Sequence, residues 1–493
     1  MQPLSNIESL LYFSPEILLV IFAVAVVLLD LVVKDRESVA VAYLSIVGLV
    51  CVFAAVLITH FSFRSPVSLF LGMIRLDEFS TFFKILLLLA TAATVLFSLR
   101  SEELDARLKG EYYALLLAIT LGMFLMASST NLLMIFISLE TVSLTSYILA
   151  GFLTHNPRSS EAAFKYITYG AVASGTMLFG LSFLFGMAGS GDLGQISVRL
   201  TELLASGEVA PLAVLIAITF VLAGVGYKIA SVPFHMWSPD VYEGAPIPIT
   251  AFLSVASKSA GFALFIRFFY SGFGSSELMQ AVDWTLMLVI VSALTMTVGN
   301  LAALPQQNVK RLLAYSSIAH GGYLLMGGVL LTSEGIGAIL FYLIVYLFMN
   351  LGAFYVVVLI ANEEGTEMID GYRGLAARAP LVAWAMAIFL FSLTGIPPFA
   401  GFFGKWLLFA AVLEQGYYWL ALVGLLNSVV SLYYYARIVK AMFLEDSDEE
   451  TTRVSFSTGT FALLSVFVIP TIFIGFLNIF YTFSNISVSV IPM

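Results

Sequence analysis

Gly226 to Trp237 reads GYKIASVPFHMW, and Gly395 to Trp406 reads GIPPFAGFFGKW. Each stretch sets proline inside an apolar run that spans a membrane by length, 211–237 in the first case and 379–412 in the second. Proline removes a backbone donor and clashes one turn back, so each run reads as two half-helices joined by unwound backbone. Pro233 and Pro397 stand 164 residues apart, and each break is followed closely by Phe and Trp. Each also falls in the fourth span of a five-span set, 111–272 and 285–443. Corresponding breaks mark transporters built from inverted repeats, with the path at the broken helices. Five is odd, so the two sets are inverted relative to each other.

Composition agrees with that reading. Of 493 residues, 60% are hydrophobic and 11% charged, against about 45–50% and 25% in soluble chains. The excess requires lipid, where about 20 apolar residues span the hydrocarbon core as one helix. The expected fold is an all-α polytopic membrane protein, a single membrane domain over 1–493. It has about fourteen spans, near 14–34, 39–60, 77–99, 111–128, 131–151, 160–188, 211–237, 247–272, 285–304, 311–331, 337–361, 379–412, 418–443 and 457–482. The seventh and twelfth are discontinuous.

The loops carry an orientation signal, since Lys and Arg are retained on the cytoplasmic side. Thirteen of the 22 basic residues, from Lys34 to Arg453, fall in odd-numbered loops, and four, Arg64, Arg75, Arg199 and Arg267, fall in the others. That segregation puts both termini on the outer face. Met1 to Phe13 lack Lys and Arg, so the first hydrophobic segment reads as retained rather than cleaved.

Several chemistries are excluded. The single cysteine, Cys51, rules out disulfides, cysteine-ligated zinc and iron–sulfur clusters in this chain, and reads as a small buried hydrophobe. The net charge of −9, with no basic block, leaves no nucleic-acid footprint. Loop acids such as Glu445 to Glu450 supply the acidic excess. GSGDLG at Gly189–Gly194 matches a dinucleotide fingerprint literally, but it follows a membrane helix instead of a strand, so it reads as a turn. No histidine pair stands at haem-ligating separation within a span.

A charge at the bilayer centre costs from about 3 to more than 10 kcal/mol, which makes each mid-span ionisable group a functional candidate. The candidates are Glu140, Lys165, Lys228, Lys258, His320 and Lys405, with Lys84 and His235 behind them. Glu140 lies in FISLETVSLTSY among hydroxyls from Thr141, Ser143 and Ser146; the plainer alternative is a packing carboxyl held by serines. Lys228 precedes the Pro233 break. Burial disfavours an ammonium and a nearby carboxylate restores it, so moving Glu140 relative to Lys228 would switch the lysine between holding and releasing a proton. Lys258 is central in its span among small residues, where a static ion pair is the alternative. Lys405 follows the second break as the counterpart of Lys228. His320, in AYSSIAHGGY, carries the group that titrates near neutrality and passes a proton through either nitrogen, with a satisfied core histidine as the alternative. Lys165, about one turn into its segment, fits snorkelling to the interface as well as transport, and Lys84 reads as snorkelling.

These stretches resemble a known family. GYKIASVPFHMWSPDVYEGAPIPITAFLSVASK (Gly226–Lys258), NVKRLLAYSSIAHGGY (Asn308–Tyr323) and GIPPFAGFFGKW are similar to the antiporter-like, proton-pumping subunits of respiratory complex I. DVYEGAP (Asp240–Pro246) resembles the branch called subunit N, whereas subunits M and L and the multisubunit sodium/proton antiporters usually begin that stretch with PDAH. The long lateral helix of subunit L would need more chain than follows Ile491 to Met493.

The resemblance implies fourteen helices with inverted five-helix repeats. It matches Glu140 to the family's helix-five glutamate, Lys228 to its helix-seven lysine, and Lys165 and Lys258 to those of helices six and eight. His320 matches the central histidine and Lys405 the helix-twelve lysine. It also implies a path from the cytoplasm to Lys228, across Lys258 and His320, and out by Lys405. The chain itself is expected to hold no cofactor. NADH, FMN, iron–sulfur clusters and quinone are expected in partner subunits, and the partners are an antiporter-like neighbour, small membrane subunits and the bilayer. The expected location is a bacterial plasma (inner) membrane with periplasmic termini. The alternative transporter is a sodium/proton antiporter subunit. A scaffold whose charges only pin helices is the third reading, and the cost of six such groups opposes it.

Overall fold

The computed structural model describes residues 4–33, 39–63, 65–104, 109–330, 332–446, 456–477, 481, 482, 484 and 487. Lys34, Arg36, Arg64, Arg107 and Arg453 of the loop assignment lie outside the described residues, as do Asp448 to Glu450, most of the end of the fourteenth run, and Ile491 to Met493.

Twelve helices among the described residues are long and apolar enough to cross a membrane, from Ser14–Val32 to Thr458–Phe476. The chain is an all-α polytopic membrane protein. The adjoining runs near residue 130 form separate helices, Lys109–Ser128 and Leu132–Ala150, because Asn131 caps the second by accepting the Leu133 N–H at 3.0 Å. GSGDLG is likewise a turn and a cap: Asp192 accepts the Gln195 N–H at 2.9 Å and starts the helix Leu193–Ser206, which composition did not anticipate. A short helix Asn6–Tyr12 and a hairpin pairing Val67–Leu69 with Ile74–Leu76 complete the unforeseen elements.

Burial separates the centre from the rim. The most apolar window of Ile247–Phe273 is 100% buried and that of Ser333–Glu364 is 89% buried, against 22% for Ser14–Val32 and 33% for Pro157–Ala188. The two central helices therefore have no face left for lipid, and polar groups on them must find partners inside the protein. Within the first, Leu253–Ser257 is a π-helical turn immediately before Lys258.

Three readings of single residues change. Cys51 is exposed on the outside of Ala40–Ser62, where an apolar run can face lipid on one side. Lys84 does not snorkel: its Nζ lies 2.5 Å from Glu16 Oε1 with both side chains buried. Arg267 is not a loop residue. It is fully buried in Lys258–Phe273, donating to both oxygens of Asp77 at 2.6 and 2.8 Å and to the Ala127 carbonyl at 3.1 Å. Span counting from hydropathy alone misses such cations because a buried acid elsewhere in the chain neutralises them.

Candidate proton path

Both proline-containing runs end a helix at the left-handed residue that starts the break. Pro211–Ile229 closes at Ala230 (φ 58°), and Pro380–Thr394 closes at Gly395 (φ 90°); helices resume at Trp237–Gly244 and Ala400–Glu414. The freed backbone groups are satisfied by neighbours. Thr295 accepts the Val232 N–H at 3.0 Å, the Trp237 indole donates to the Tyr227 carbonyl at 3.0 Å, and Ser392 accepts the Gly401 N–H at 3.0 Å.

The two break lysines are held differently. Lys405 donates to the Thr394 carbonyl at 2.8 Å, the negative end of the preceding half-helix, and to Ser428 Oγ at 3.1 Å. Its Nζ also lies 4.5 Å from the Tyr323 ring centroid. Glycine is required at 395 twice over, since φ is positive and a Cβ would meet Lys405 Cδ at 2.8 Å. Lys228, in the last turn before the first break, is buried with no hydrogen-bond partner for its Nζ among the described residues. Glu140 acts on it electrostatically, yet no ion pair joins them among the described residues, and Glu140 Oε1 is buried and unpartnered as well. Of the hydroxyls near Glu140, those of Thr141 and Ser146 bond backbone carbonyls, while Ser143 Oγ is buried beside Tyr147.

Between the breaks lie short runs of hydrogen-bonded polar groups. Lys258 donates to the carbonyl and hydroxyl of Ser317. The neighbouring Ser316 hydroxyl bonds Tyr435, whose OH is 3.4 Å from His320 Nε2; on the other side His320 Nδ1 bonds the Tyr342 OH at 2.6 Å. Lys405 continues the polar surroundings through Ser428, which donates to Tyr323 at 3.1 Å. The Tyr323 ring is 5.9 Å from that of His320. Gly321 lets these groups converge: a Cβ there would stand 3.2 Å from the Ile229 carbonyl and 3.9 Å from Lys258 Nζ. The stem of Lys228 packs against Gly261, one turn beyond Lys258. Lys228, Lys258, His320 and Lys405 are all buried in this region, and the hydroxyls of Ser317, Ser316, Tyr435, Tyr342 and Ser428 beside the last three can both donate and accept. His235 is half-buried beside the first break, next to the Pro233 backbone.

A family model described as "NADH:quinone oxidoreductase/Mrp antiporter, TM" matches residues 129–431. Subunit N of NADH-quinone oxidoreductase from an Anaeromyxobacter species is 48% identical over 89% of this chain and 88% of its own. Subunit N 2 from Sorangium cellulosum is 47% identical over 96% of both. This chain belongs to the subunit N family of NADH-quinone oxidoreductase. A chain of respiratory complex I from Thermus thermophilus, solved with bound aureothin, superposes with a TM-score of 0.77 at 33% identity, covering 94% of this chain and 96% of that one.

In this subunit N chain the DVYEGAP segment is clamped by two adjacent cations. Arg311 donates to Asp240 at 2.7 Å and to Glu243 at 2.9 Å, while Lys310 donates to the Ala245 carbonyl at 2.8 Å and to Glu367 at 2.7 Å. Lys165 joins this cluster and not the groups around His320: its Nζ lies 2.6 Å from Asp240 and 2.7 Å from Glu161, and it is 34% exposed. Burial disfavours the Asp240 carboxylate, but hydrogen bonds from Lys165 and Arg311 outweigh it and hold the group below the ordinary aspartate range. A cavity of about 180 Å³ lined by Arg158, Glu161, Asp240, Glu243 and Arg311 opens beside it. The sequence reading missed Tyr342, Tyr435 and Ser428, and gave Asp240 only as part of the DVYEGAP stretch. Tyr342 recurs with Tyr346 and Asn350 at four-residue spacing, a polar stripe on an otherwise apolar helix that would have marked that face.

Proposed function

We propose that this chain is a proton-translocating membrane subunit of NADH-quinone oxidoreductase in which Glu140 controls the charge on Lys228. Protons then pass by way of Lys258 and His320 to leave at Lys405. The observation that carries the reading is the set of buried hydroxyls around His320, with Lys258 bonded to Ser317 on one side of it and Lys405 bonded to Ser428 on the other. A proton arriving at Lys228 meets no competing partner, so its residence depends on how closely Glu140 approaches. Lys165 belongs to the intake side of this path, exchanging with solvent through the cavity beside Asp240.

On this reading the count of fourteen spans is completed by Val309–Gly328 and by the broken pair Pro380–Thr394 and Ala400–Glu414. The seventh and twelfth spans are the discontinuous ones, in inverted repeats over 111–272 and 285–443. The matched left-handed endings at Ala230 and Gly395 support that assignment. The subunit sits in a bacterial plasma membrane beside an antiporter-like neighbour and small membrane subunits, with its termini on the periplasmic face. NADH, FMN, iron–sulfur clusters and quinone are handled by partner subunits, so redox chemistry reaches this chain only as a change in charge or shape at its boundary.

The test is coupled turnover in the assembled complex. Lys228→Ala and Glu140→Ala are expected to slow NADH-driven proton translocation by roughly tenfold or more, the scale of a lost acid–base group. Wild-type rates in a fully assembled complex would remove both residues from the path.

A further inference from the structure

Two polar stripes run toward Lys258 from the end of the molecule that holds Glu103, Lys310 and Glu367. On the central helix Ile247–Phe273, Thr250, Ser254 and Lys258 recur at four-residue spacing. On Ser333–Glu364, Tyr342, Tyr346 and Asn350 do the same. Residues four apart share a helix face, and the two faces meet where Asn350 Nδ2 donates to Ser254 Oγ at 2.7 Å. Both residues are completely buried. Asn350 Oδ1 is buried with no hydrogen-bond partner among the described residues, and Tyr346, whose ring is 5.2 Å from that of His320, has the Ser317 side chain beside its hydroxyl. A buried amide oxygen left alone is costly, so a site that keeps one is suited to water, which needs two to four polar partners. The π-helical turn Leu253–Ser257 lies on this face just before Lys258, the kind of local distortion found where helices carry function.

The outer end of the stripe is a carboxyl. Glu103 Oε2 accepts the Ile247 N–H at 2.9 Å, at the start of the same central helix. Thr250, one turn further in, donates to the Tyr242 carbonyl at 3.0 Å. Burial pushes the Glu103 carboxyl above its ordinary range, against the pull of Lys310, with Glu367 nearby reinforcing the rise.

We infer that Glu103, Thr250, Ser254 and Asn350 form a second proton-intake line that reaches Lys258 directly, bypassing Lys228. Glu103 takes a proton from solvent and passes it inward along water ordered by Thr250, Ser254, Asn350 and Tyr346. Lys258 gains that proton as an ammonium and returns to the neutral amine when the proton moves on toward His320, so the line ends each cycle as it began. Asn350 holds no charge; it is a positioning residue that keeps the water line in register. The charged and titratable groups facing this line are Lys310, Glu367 and Tyr112 at Glu103, and Lys228, His320, Tyr346 and Tyr242 around Lys258.

The inference rests on the relay role proposed for Lys258, and the experiment separates the two. Asn350→Leu, Ser254→Ala, Glu103→Gln and Lys258→Ala are made in the whole complex, assembly is checked, and NADH-driven proton translocation is measured in membrane vesicles over a range of pH on the NADH side. Asn350→Leu and Ser254→Ala are expected to slow translocation several-fold, with the deficit shrinking as pH falls, because supply of protons has become limiting. Asn350→Asp is expected to restore most of the rate. If Lys258→Ala is defective while Ser254→Ala and Asn350→Leu run at the wild-type rate, or show a deficit that pH does not change, the intake line is wrong and the relay stands. A wild-type rate for Lys258→Ala overturns the relay and the intake line together. Ser254→Ala removes only one oxygen, so it keeps the test intact if Asn350→Leu fails to assemble.

Discussion

Tyr435 makes two hydrogen bonds that matter, one to Ser316 and one to His320, and it supplies the only hydroxyl that touches both among the described residues. Phenylalanine at this position keeps the ring and removes the link, so Tyr435→Phe tests continuity without opening a cavity. It is expected to slow NADH-driven proton translocation about fivefold, the rate equivalent of the ~1 kcal/mol a single hydrogen bond contributes. Unchanged translocation in assembled complex would show that protons reach His320 without it. The lysines and the histidine were legible from sequence because their cost in lipid singles them out. Their partners were not, since Ser, Thr and Tyr are unremarkable in membrane helices, and only a hydrogen bond across the bundle distinguishes Ser317 from Ser259, whose hydroxyl merely bonds its own helix at Val255.

At the scale of elements, the Asp77–Arg267 pair links the cap of Glu78–Arg100 to Lys258–Phe273 with both side chains fully buried. Breaking such a pair from one side strands a charge and costs about 3–5 kcal/mol, whereas removing both partners is far milder. Arg267→Met is therefore expected to lower the yield of assembled complex and its thermal stability sharply, and Asp77→Asn combined with Arg267→Met to recover much of the loss. Equal damage from the single and double variants would show that the helices are held by packing alone. The helix breaks themselves were readable in advance, because proline acts locally through its missing N–H. The π-helical turn at Leu253–Ser257 was not, since no residue in LSVAS forces it and it arises from how this helix meets its neighbours.

For the whole molecule, orientation is the open arrangement that a simple measurement decides. In a Cys51→Ser background, Glu363→Cys and Ser206→Cys place single thiols at opposite ends of the bundle, at exposed positions on Ser333–Glu364 and Leu193–Ser206. A membrane-impermeant thiol reagent added to intact cells is expected to label Ser206→Cys and spare Glu363→Cys. The reverse pattern would invert the path and exchange its intake and release ends.

Taken by itself, the sequence determined that this chain lives in a membrane, where its helices break, and which ionisable groups need a reason to be there. Each of those follows from composition or from a residue acting within one turn of itself. Tertiary structure alone decided which of those groups are brought near one another. Lys165 and Lys258 look alike in sequence, but packing sends the first to the acids at Asp240 and Glu161 and the second to the Ser317 hydroxyl beside His320. Lys84 and Arg267 were drawn inward by acids 68 and 190 positions away in the chain. A buried charge is settled by whatever opposite charge or hydroxyl the fold brings within about 3 Å, and sequence separation carries no record of that distance.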